Sequence, residues 1–303
     1  MAIPLSQMAT AGQQPPAGGG TQAALAGMVP QPNMPAQSGN PIEQSYFDRL
    51  SQDYQGLARE YAALPSTDGG RILNTDDARE MSPEYRADRT KSADVHEPSS
   101  AFVKQMYAEK LMQPTPPGRD NTVLFTAGGT GAGKTTSLQA AAQQSKGIQN
   151  AEMVYDTNMN SFESADKKVK QALAAGRKVG IVYTYRDPVE ALKNGNLSRA
   201  SRMEAEMGTG RTVPIDEHFR THAGVRDVME KLQAKYGNDH RFHLMVVDNS
   251  RGPGNARVVS GLDKLPRLNH TVVRKELNNA LEEAYRTGKI SQAVYEGTRG
   301  KPR

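Results

Sequence analysis

The stretch GGTGAGKTT, Gly128 to Thr136, has the residue types and spacing of a phosphate grip. Glycines let successive backbone N–H groups close around phosphate oxygens, and a helix starting just behind them adds partial positive charge. The pattern Gly128-x4-Gly133-Lys134-Thr135 lies after the apolar run TVLFTA and opens the helical pattern GKTTSLQAAAQQS, which is the context such a loop requires. Gly128, Gly129, Thr130, Gly131, Ala132, Gly133, Lys134, Thr135 and Thr136 are therefore the candidate residues for binding a nucleotide's phosphates. Lys134 has the reach to meet the β- and γ-phosphates, and the Thr135 hydroxyl is a candidate ligand for Mg²⁺. Kinases, ATPases, GTPases and decayed binding modules share this loop, so its spacing identifies phosphate binding and no particular reaction.

The remaining charges must come from elsewhere. Two predicted strands end in an acid, MVYD at Asp156 and LMVVD at Asp248. Ligands of an open parallel sheet gather beyond the carboxyl ends of its strands. Asp156 is the better candidate for a second metal ligand, because its strand directly follows the loop's helix. For both acids the alternative is a cap on the next turn. The segment LSRASRMEAEMGTGRTVP places Arg199, Arg202 and Arg211 among polar residues and glycines. It reads either as a closing lid that neutralises charge on a transferred phosphoryl group and excludes water, or as a solvated helix whose arginines pair with Glu204 and Glu206.

The elements that must position these groups alternate along the chain. Helices are predicted over 43–64, 99–112 (capped by Ser99 or Ser100), 133–145, 163–176, 225–237 and 270–288; strands over 71–74, 122–127, 152–155, 179–185 and 241–247. The strands are nearly all apolar, which requires cover on both faces. The fold class expected is α/β, a P-loop NTPase-type three-layer sandwich with a mostly parallel central sheet. Residues 1–42 hold no charged side chain and are rich in Pro, Gly, Gln and Ala; a disordered low-complexity tail is expected there. The organisation expected is that tail, an N-terminal helix within 43–67, a kinase-like domain over 68–253, and a loop and helix over 254–303.

Four pieces, GGTGAGKTT, YRDPVEA, Leu197-Ser198-Arg199 and Gly210-Arg211-Thr212-Val213-Pro214, resemble the zeta toxin family of P-loop kinases. The resemblance covers roughly Asp68 to Ser250. It implies lid arginines at Arg199 and Arg211. The family's catalytic base is an aspartate on a strand that follows the loop's helix. Here only about twenty residues separate Thr136 from Asp156, too few for that strand and its long helix. RILNTDDAREMSPEY and VHEPSSAFVKQMYAEKL, upstream of the loop, resemble the family's base strand and following helix. This puts Asp76 at the base position and implies a rearranged element order, which a parallel sheet accommodates. The other reading of Asn74-Thr75-Asp76-Asp77 is a plain helix cap. Two departures bear on the acceptor pocket: Gln105 stands where the family has a glutamate, and Asp156-Thr157-Asn158 where it has Glu-Gly-Thr.

The resemblance implies γ-phosphoryl transfer from ATP to a hydroxyl of UDP-N-acetylglucosamine or a related nucleotide sugar. Asp76, Lys134, Arg199 and Arg211 would be catalytic, with Mg²⁺ on Thr135 and Asp156 and an antitoxin-like inhibitor as partner. The main alternative is an ATP-binding interaction module without transfer, which the uncharged tail favours and which suits a phage-associated component. A nucleic acid kinase is disfavoured despite the net charge of +5, because no basic stripe is interleaved with aromatics. The absence of cysteine excludes disulfides and thiolate chemistry. No apolar run approaches the roughly 18 residues of a membrane helix, and MAIPLSQMAT has no signal-peptide pattern. A cytoplasmic location is expected, or a virion-associated one if the chain is phage-encoded. The helix over 43–64 is expected to pack on the domain, with a cover over the site in cis as the alternative.

Overall fold

The computed structural model describes residues 39–252 and 254–300, so the tail expected over 1–42 falls almost wholly outside the described residues. In chain order the elements are α1 (Pro41–Gln52), α2 (Tyr54–Ala62), β1 (Ile72–Asn74), α3 (Thr75–Arg79), α4 (Pro83–Ala87), α5 (His96–Met112) and β2 (Asp120–Ala127). Then come α6 (Lys134–Gln144), α7 (Lys146–Gln149), β3 (Ala151–Asp156), α8 (Phe162–Ala174) and β4 (Lys178–Tyr185). After α9 (Pro188–Ala191) a π-turn over Leu192–Leu197 leads into α10 (Ser198–Met207), α11 (Ile215–Tyr236), β5 (Phe242–Asp248), β6 (Arg257–Val259), α12 (His270–Arg286) and α13 (Gln292–Arg299). Among the described residues no helix is long and apolar enough to cross a membrane.

The sheet runs β1-β3-β2-β4-β5-β6. Its first five strands are parallel and β6 is antiparallel to β5. Side chains alternate between two cores, as strand geometry requires. Val123, Phe125, Met153, Tyr155, Ile181 and Tyr183 enter the large core under α5, α8 and α11, while Leu124, Val154 and Val182 enter a smaller one under α6 and α7. This is the expected mostly parallel three-layer α/β arrangement. The strand that leads into the phosphate loop, β2, lies in the middle, flanked by β3 and β4.

Several elements differ from expectation for local reasons. The single helix expected over 43–64 is two. It starts at Pro41, capped by Asn40, and breaks at Asp53, whose carboxylate accepts from Gly56 N at 2.8 Å and caps α2 instead of continuing α1. The helix expected from Ser99 begins at His96; Ser99 is buried inside it, and its first residue has no side-chain cap. The helix expected from Val225 begins ten residues earlier, after Pro214, with Asp216 and Glu217 in its first turn. A second C-terminal helix, α13, follows α12. Both join one apolar cluster, in which Val273, Leu277 and Leu281 of α12 and Val294 of α13 lie with Leu192, Leu197, Ile215 and Phe219.

The α1–α2 pair is a brace for β1. Tyr46, Phe47, Leu50, Leu57 and Tyr61 are buried in the large core, and Tyr54 and Tyr61 meet Phe102 edge-on at 5.8 and 5.5 Å. Each such burial contributes about 1.5–3 kcal/mol. The Tyr61 hydroxyl accepts from Asn74 N at 2.8 Å and donates to Ile72 O at 3.0 Å, while Tyr46 Oη donates to Ala78 O at 2.6 Å. Together they set where β1 ends and α3 begins. Tyr61→Phe leaves the Asn74 N–H without its acceptor and should cost about 1–3 kcal/mol in urea unfolding. An unchanged midpoint would show that the brace acts through packing alone.

Candidate phosphate-binding and transfer site

Two of the loop's glycines are required sterically. A Cβ on Gly129 would lie 2.3 Å from the His222 ring. Gly133 has φ of 86°, a left-handed conformation, and a Cβ there would meet Asn249 Nδ2 at 2.5 Å. Immediately beyond, Lys134 begins α6, so the N–H groups of that helix terminus face the loop.

Side chains from three other elements hold the loop's carbonyls. His222 Nε2 donates to Thr130 O at 2.9 Å, Arg186 Nη1 to Gly131 O at 3.3 Å, and Asn249 Nδ2 to Ala132 O at 2.8 Å. In a trans peptide the C=O of one residue and the N–H of the next point opposite ways. Pulling the Thr130 and Ala132 carbonyls outward therefore turns the Gly131 and Gly133 N–H groups into the cradle. The side chain of Thr130, expected in the cradle, is instead tied to α11: its Oγ1 meets His218 Nδ1 at 2.7 Å, and its N–H donates to Thr221 Oγ1 at 3.2 Å.

His218 and His222 sit one helical turn apart, with ring centroids 4.5 Å apart. Their spacing is that of helical metal ligands, but both Nε2 atoms donate to backbone carbonyls, His218 to Pro188 O at 2.8 Å. His218 Nδ1 also accepts from Asn196 Nδ2 at 2.9 Å. Burial lowers the His218 imidazole to about 4. Burial, helped by His218 and by the Lys134 and Arg186 charges, lowers that of His222 to about 3. Both rings are neutral Nε2–H tautomers, as the carbonyl partners demand. Sequence reasoning missed this pair because the helix was expected to start at Val225; Pro214 followed by Asp216 and Glu217 was the signal that placed it on a helix.

Lys134 Nζ reaches Asn158 Oδ1 at 2.7 Å, at the mouth of the cradle, while Thr135 and Thr136 are exposed. Asp156 is committed elsewhere. Its Oδ1 accepts from Thr126 Oγ1 and its Oδ2 from Asn74 Nδ2 at 2.9 Å, which clamps β1, β2 and β3 together at their carboxyl ends. No hydrogen bond joins Asp156 to Thr135. Asp248 accepts from Ser250 N at 3.0 Å and pairs with Arg257 at 3.0 Å, so it secures the turn into β6.

Asp76 lies in the first turn of α3. Asn74, not Asp76, caps that helix, accepting from Asp76 N at 2.7 Å. The Asp76 carboxylate forms a bidentate pair with Arg211, with Nη1 to Oδ2 at 2.7 Å and Nη2 to Oδ1 at 2.9 Å. Arg79 adds a third contact at 3.0 Å. Burial alone would raise this carboxyl, but the Arg211 guanidinium, with Arg79 and Arg199 behind it, holds it well below the usual carboxylate range. Its side chain stays 43% exposed, so one face is open to a second molecule. Beside it, burial and the charges of Asp76 and Asp156 raise the Asp77 carboxyl. Arg199 is part-buried with Nε lacking an acceptor, and Arg202 is exposed. Gln105 meets only Glu109, at 3.1 Å. The structure thus gathers Asp76, Arg199 and Arg211, joined by Arg79, which sequence reasoning did not single out.

Residues 148–252 match the Zeta toxin family model. The matched segment runs from α7 through β5 and is zeta-toxin-like; it contains Arg199 and Arg211, while the glycine-rich loop and Asp76 precede it. Among curated proteins none matches the chain. A solved structure from work on the PezAT chromosomal toxin–antitoxin system of Streptococcus pneumoniae is similar at 14% identity and a TM-score of 0.38, covering 86% of this chain and 96% of that one.

The histidine pair makes the loop acid-sensitive. Both imidazoles titrate below their ordinary value of 6.5, so on acidification the unfolded chain takes up these protons first. Their contribution to stability is complete above about pH 6.5 and is lost as the pH falls toward 4 and then 3. His222→Gln keeps a donor for Thr130 O and takes up no proton. Between pH 7 and pH 5 it should lose on the order of 1–2 kcal/mol less stability than the unsubstituted chain in urea titrations. Equal losses would remove His222 as a source of acid sensitivity.

Proposed function

We propose that this chain is an ATP-dependent kinase of the zeta-toxin type, which transfers the γ-phosphoryl group to a hydroxyl of a nucleotide-sugar-like acceptor. The observation that carries this reading is the half-open carboxylate of Asp76 held bidentately by Arg211. A proton acceptor encoded before the phosphate loop and a phosphate-seeking guanidinium encoded after it meet at the loop's side of the sheet. In the family this pairing of roles belongs to a kinase, and the matched segment carries the lid half of it.

In this mechanism the N–H groups of Gly131, Gly133 and the first turn of α6 hold the phosphates of ATP, and Lys134 bridges the β- and γ-groups. Arg211 and Arg199 turn to the γ-phosphoryl oxygens as charge develops. Once Arg211 leaves it, the Asp76 carboxylate is free to accept the acceptor hydroxyl's proton. The acceptor oxygen forms the new bond to γ-phosphorus, the bond to the bridging oxygen breaks, and ADP departs. A weak base suffices, because a metaphosphate-like transition state asks little of the nucleophile. The exposed Thr135 hydroxyl at the cradle fits Mg²⁺, which keeps most of its waters and needs few protein ligands; Asp156, with both oxygens engaged, fits an outer role through water. When bound, the ion would neutralise phosphate charge. Zeta-toxin kinship also points to an antitoxin-like inhibitor as partner, and to the cytoplasm, where ATP and nucleotide sugars are available.

The committed carboxylate of Asp156 and the altered Gln105 also favour a second reading, an ATP-binding module without transfer. The two separate cleanly. Purified protein incubated with γ-labelled ATP and a bacterial metabolite extract should yield a labelled small molecule by mass spectrometry. Asp76→Asn should bind ATP as before and lose that product by at least a hundredfold, whereas Lys134→Ala should lose both binding and transfer. Unaltered turnover by Asp76→Asn removes Asp76 as base. Stabilisation by ATP without any labelled product, in the unsubstituted protein, favours the module.

A further inference from the structure

Where β4 ends, the chain passes through Arg186, Asp187 and Pro188. Arg186 is 5% exposed. Its Nη1 makes the 3.3 Å contact to Gly131 O, and its Nε is buried without an acceptor. The carboxylate next to it in sequence is spent, since Asp187 Oδ1 caps α9 by accepting from Val189 N at 2.9 Å and Glu190 N at 3.0 Å. Among the described residues no carboxylate forms an ion pair with Arg186. Most other shielded arginines differ: Arg79 meets Asp76, Arg177 meets Glu152, and Arg226 meets Glu230 and three loop carbonyls, while Arg199, whose Nε also lacks an acceptor, lies near enough to Asp76 to feel its charge.

An unpaired guanidinium at this depth destabilises the fold unless a counter-charge comes to it. One long hydrogen bond to a carbonyl does not supply that. The nearby rings of His218 and His222 are neutral, and His222 feels the positive charges of both Lys134 and Arg186. Two cations therefore converge on the phosphate loop, Lys134, which reaches Asn158, and Arg186, which reaches Gly131 O, and among the described residues neither forms an ion pair with a carboxylate. Such a site is incomplete without an anion.

We infer that Arg186 is a positioning residue for the polyphosphate, which holds the Gly131 peptide and whose buried charge is balanced only when a nucleoside triphosphate or inorganic triphosphate fills the loop. This deepens the proposed phosphate-binding role of the loop and rests on it. A group of this kind strains the empty protein and strengthens the loaded one. A mere brace for the loop would stabilise the empty protein and leave affinity alone.

The test measures two quantities on the full chain, the melting temperature without ligand and the affinities for ATP and for inorganic triphosphate by calorimetry. Arg186→Met should melt at the same temperature as the unsubstituted protein or higher, and should bind both ligands at least tenfold more weakly. Arg186→Lys, which keeps the charge, should recover part of that loss. If Arg186→Met fails to fold, or melts lower with unchanged affinity, the guanidinium is a brace and the inference is overturned. Lys134→Ala serves as the control. If the unsubstituted protein binds neither ligand, the phosphate role of the loop itself falls; if Lys134→Ala weakens binding and Arg186→Met does not, only the inference falls.

Discussion

A loop that offers its N–H groups to an anion must first find partners for its C=O groups, because a planar peptide sets the two back to back. Three consecutive carbonyls, those of Thr130, Gly131 and Ala132, are held here from three directions. The holders come from α11, from the end of β4 and from the end of β5. That need explains much of the architecture. β2 lies centrally with β4 beside it and β5 next, so the ends of both strands reach the loop. α11 must lie across the loop, and α12 and α13 keep it there by burying Val273, Leu277 and Leu281 of α12 and Val294 of α13 in one cluster with its first turns and the π-turn.

The transfer side of the site is organised around a second junction, the side chain of Asn74. Its oxygen caps α3, which carries Asp76, and its amide nitrogen donates to Asp156 at the end of the neighbouring strand. One short side chain thus fixes Asp76 relative to the sheet. Tyr61 holds the same residue's backbone from the other side. The N-terminal helices are therefore a structural floor under Asp76. The Asp76–Arg211 pair, 135 residues apart in sequence, joins this floor to the segment between α10 and α11.

The alternating strands and helices were legible from periodicity, and so were the loop and its central strand. The pattern of apolar runs states that both faces are covered, and the glycine spacing marks where the tight loop after the central strand falls. What periodicity does not reveal is which polar residue faces which. Asp156 read as a metal ligand because it ends the right strand; that Thr126 and Asn74 claim its two oxygens depends on pairings across β1, β2 and β3. His218 and His222 lay ahead of the helix expected from Val225, and Arg186 stood in YRDPVEA with no role of its own. Their roles come from contacts across distant parts of the chain, to loop carbonyls that carry no sequence signature. Asp53 broke a helix whose apolar spacing continues smoothly through it, because a side chain that captures a backbone N–H competes locally with the next helical bond.

β1 pairs only with β3, which follows it by some eighty residues in the chain, and Asp76 meets its guanidinium partner only after Arg211 has been made. His218 and His222, which set the loop's peptide planes, are translated later still, and the helices that hold them in place come last. On the ribosome, then, the phosphate-gripping segment emerges long before anything can orient it. No nascent fragment ending before α11 contains both the loop with its carbonyls held and Asp76 paired with Arg211. The contacts that set the loop therefore become available only after those that pair Asp76.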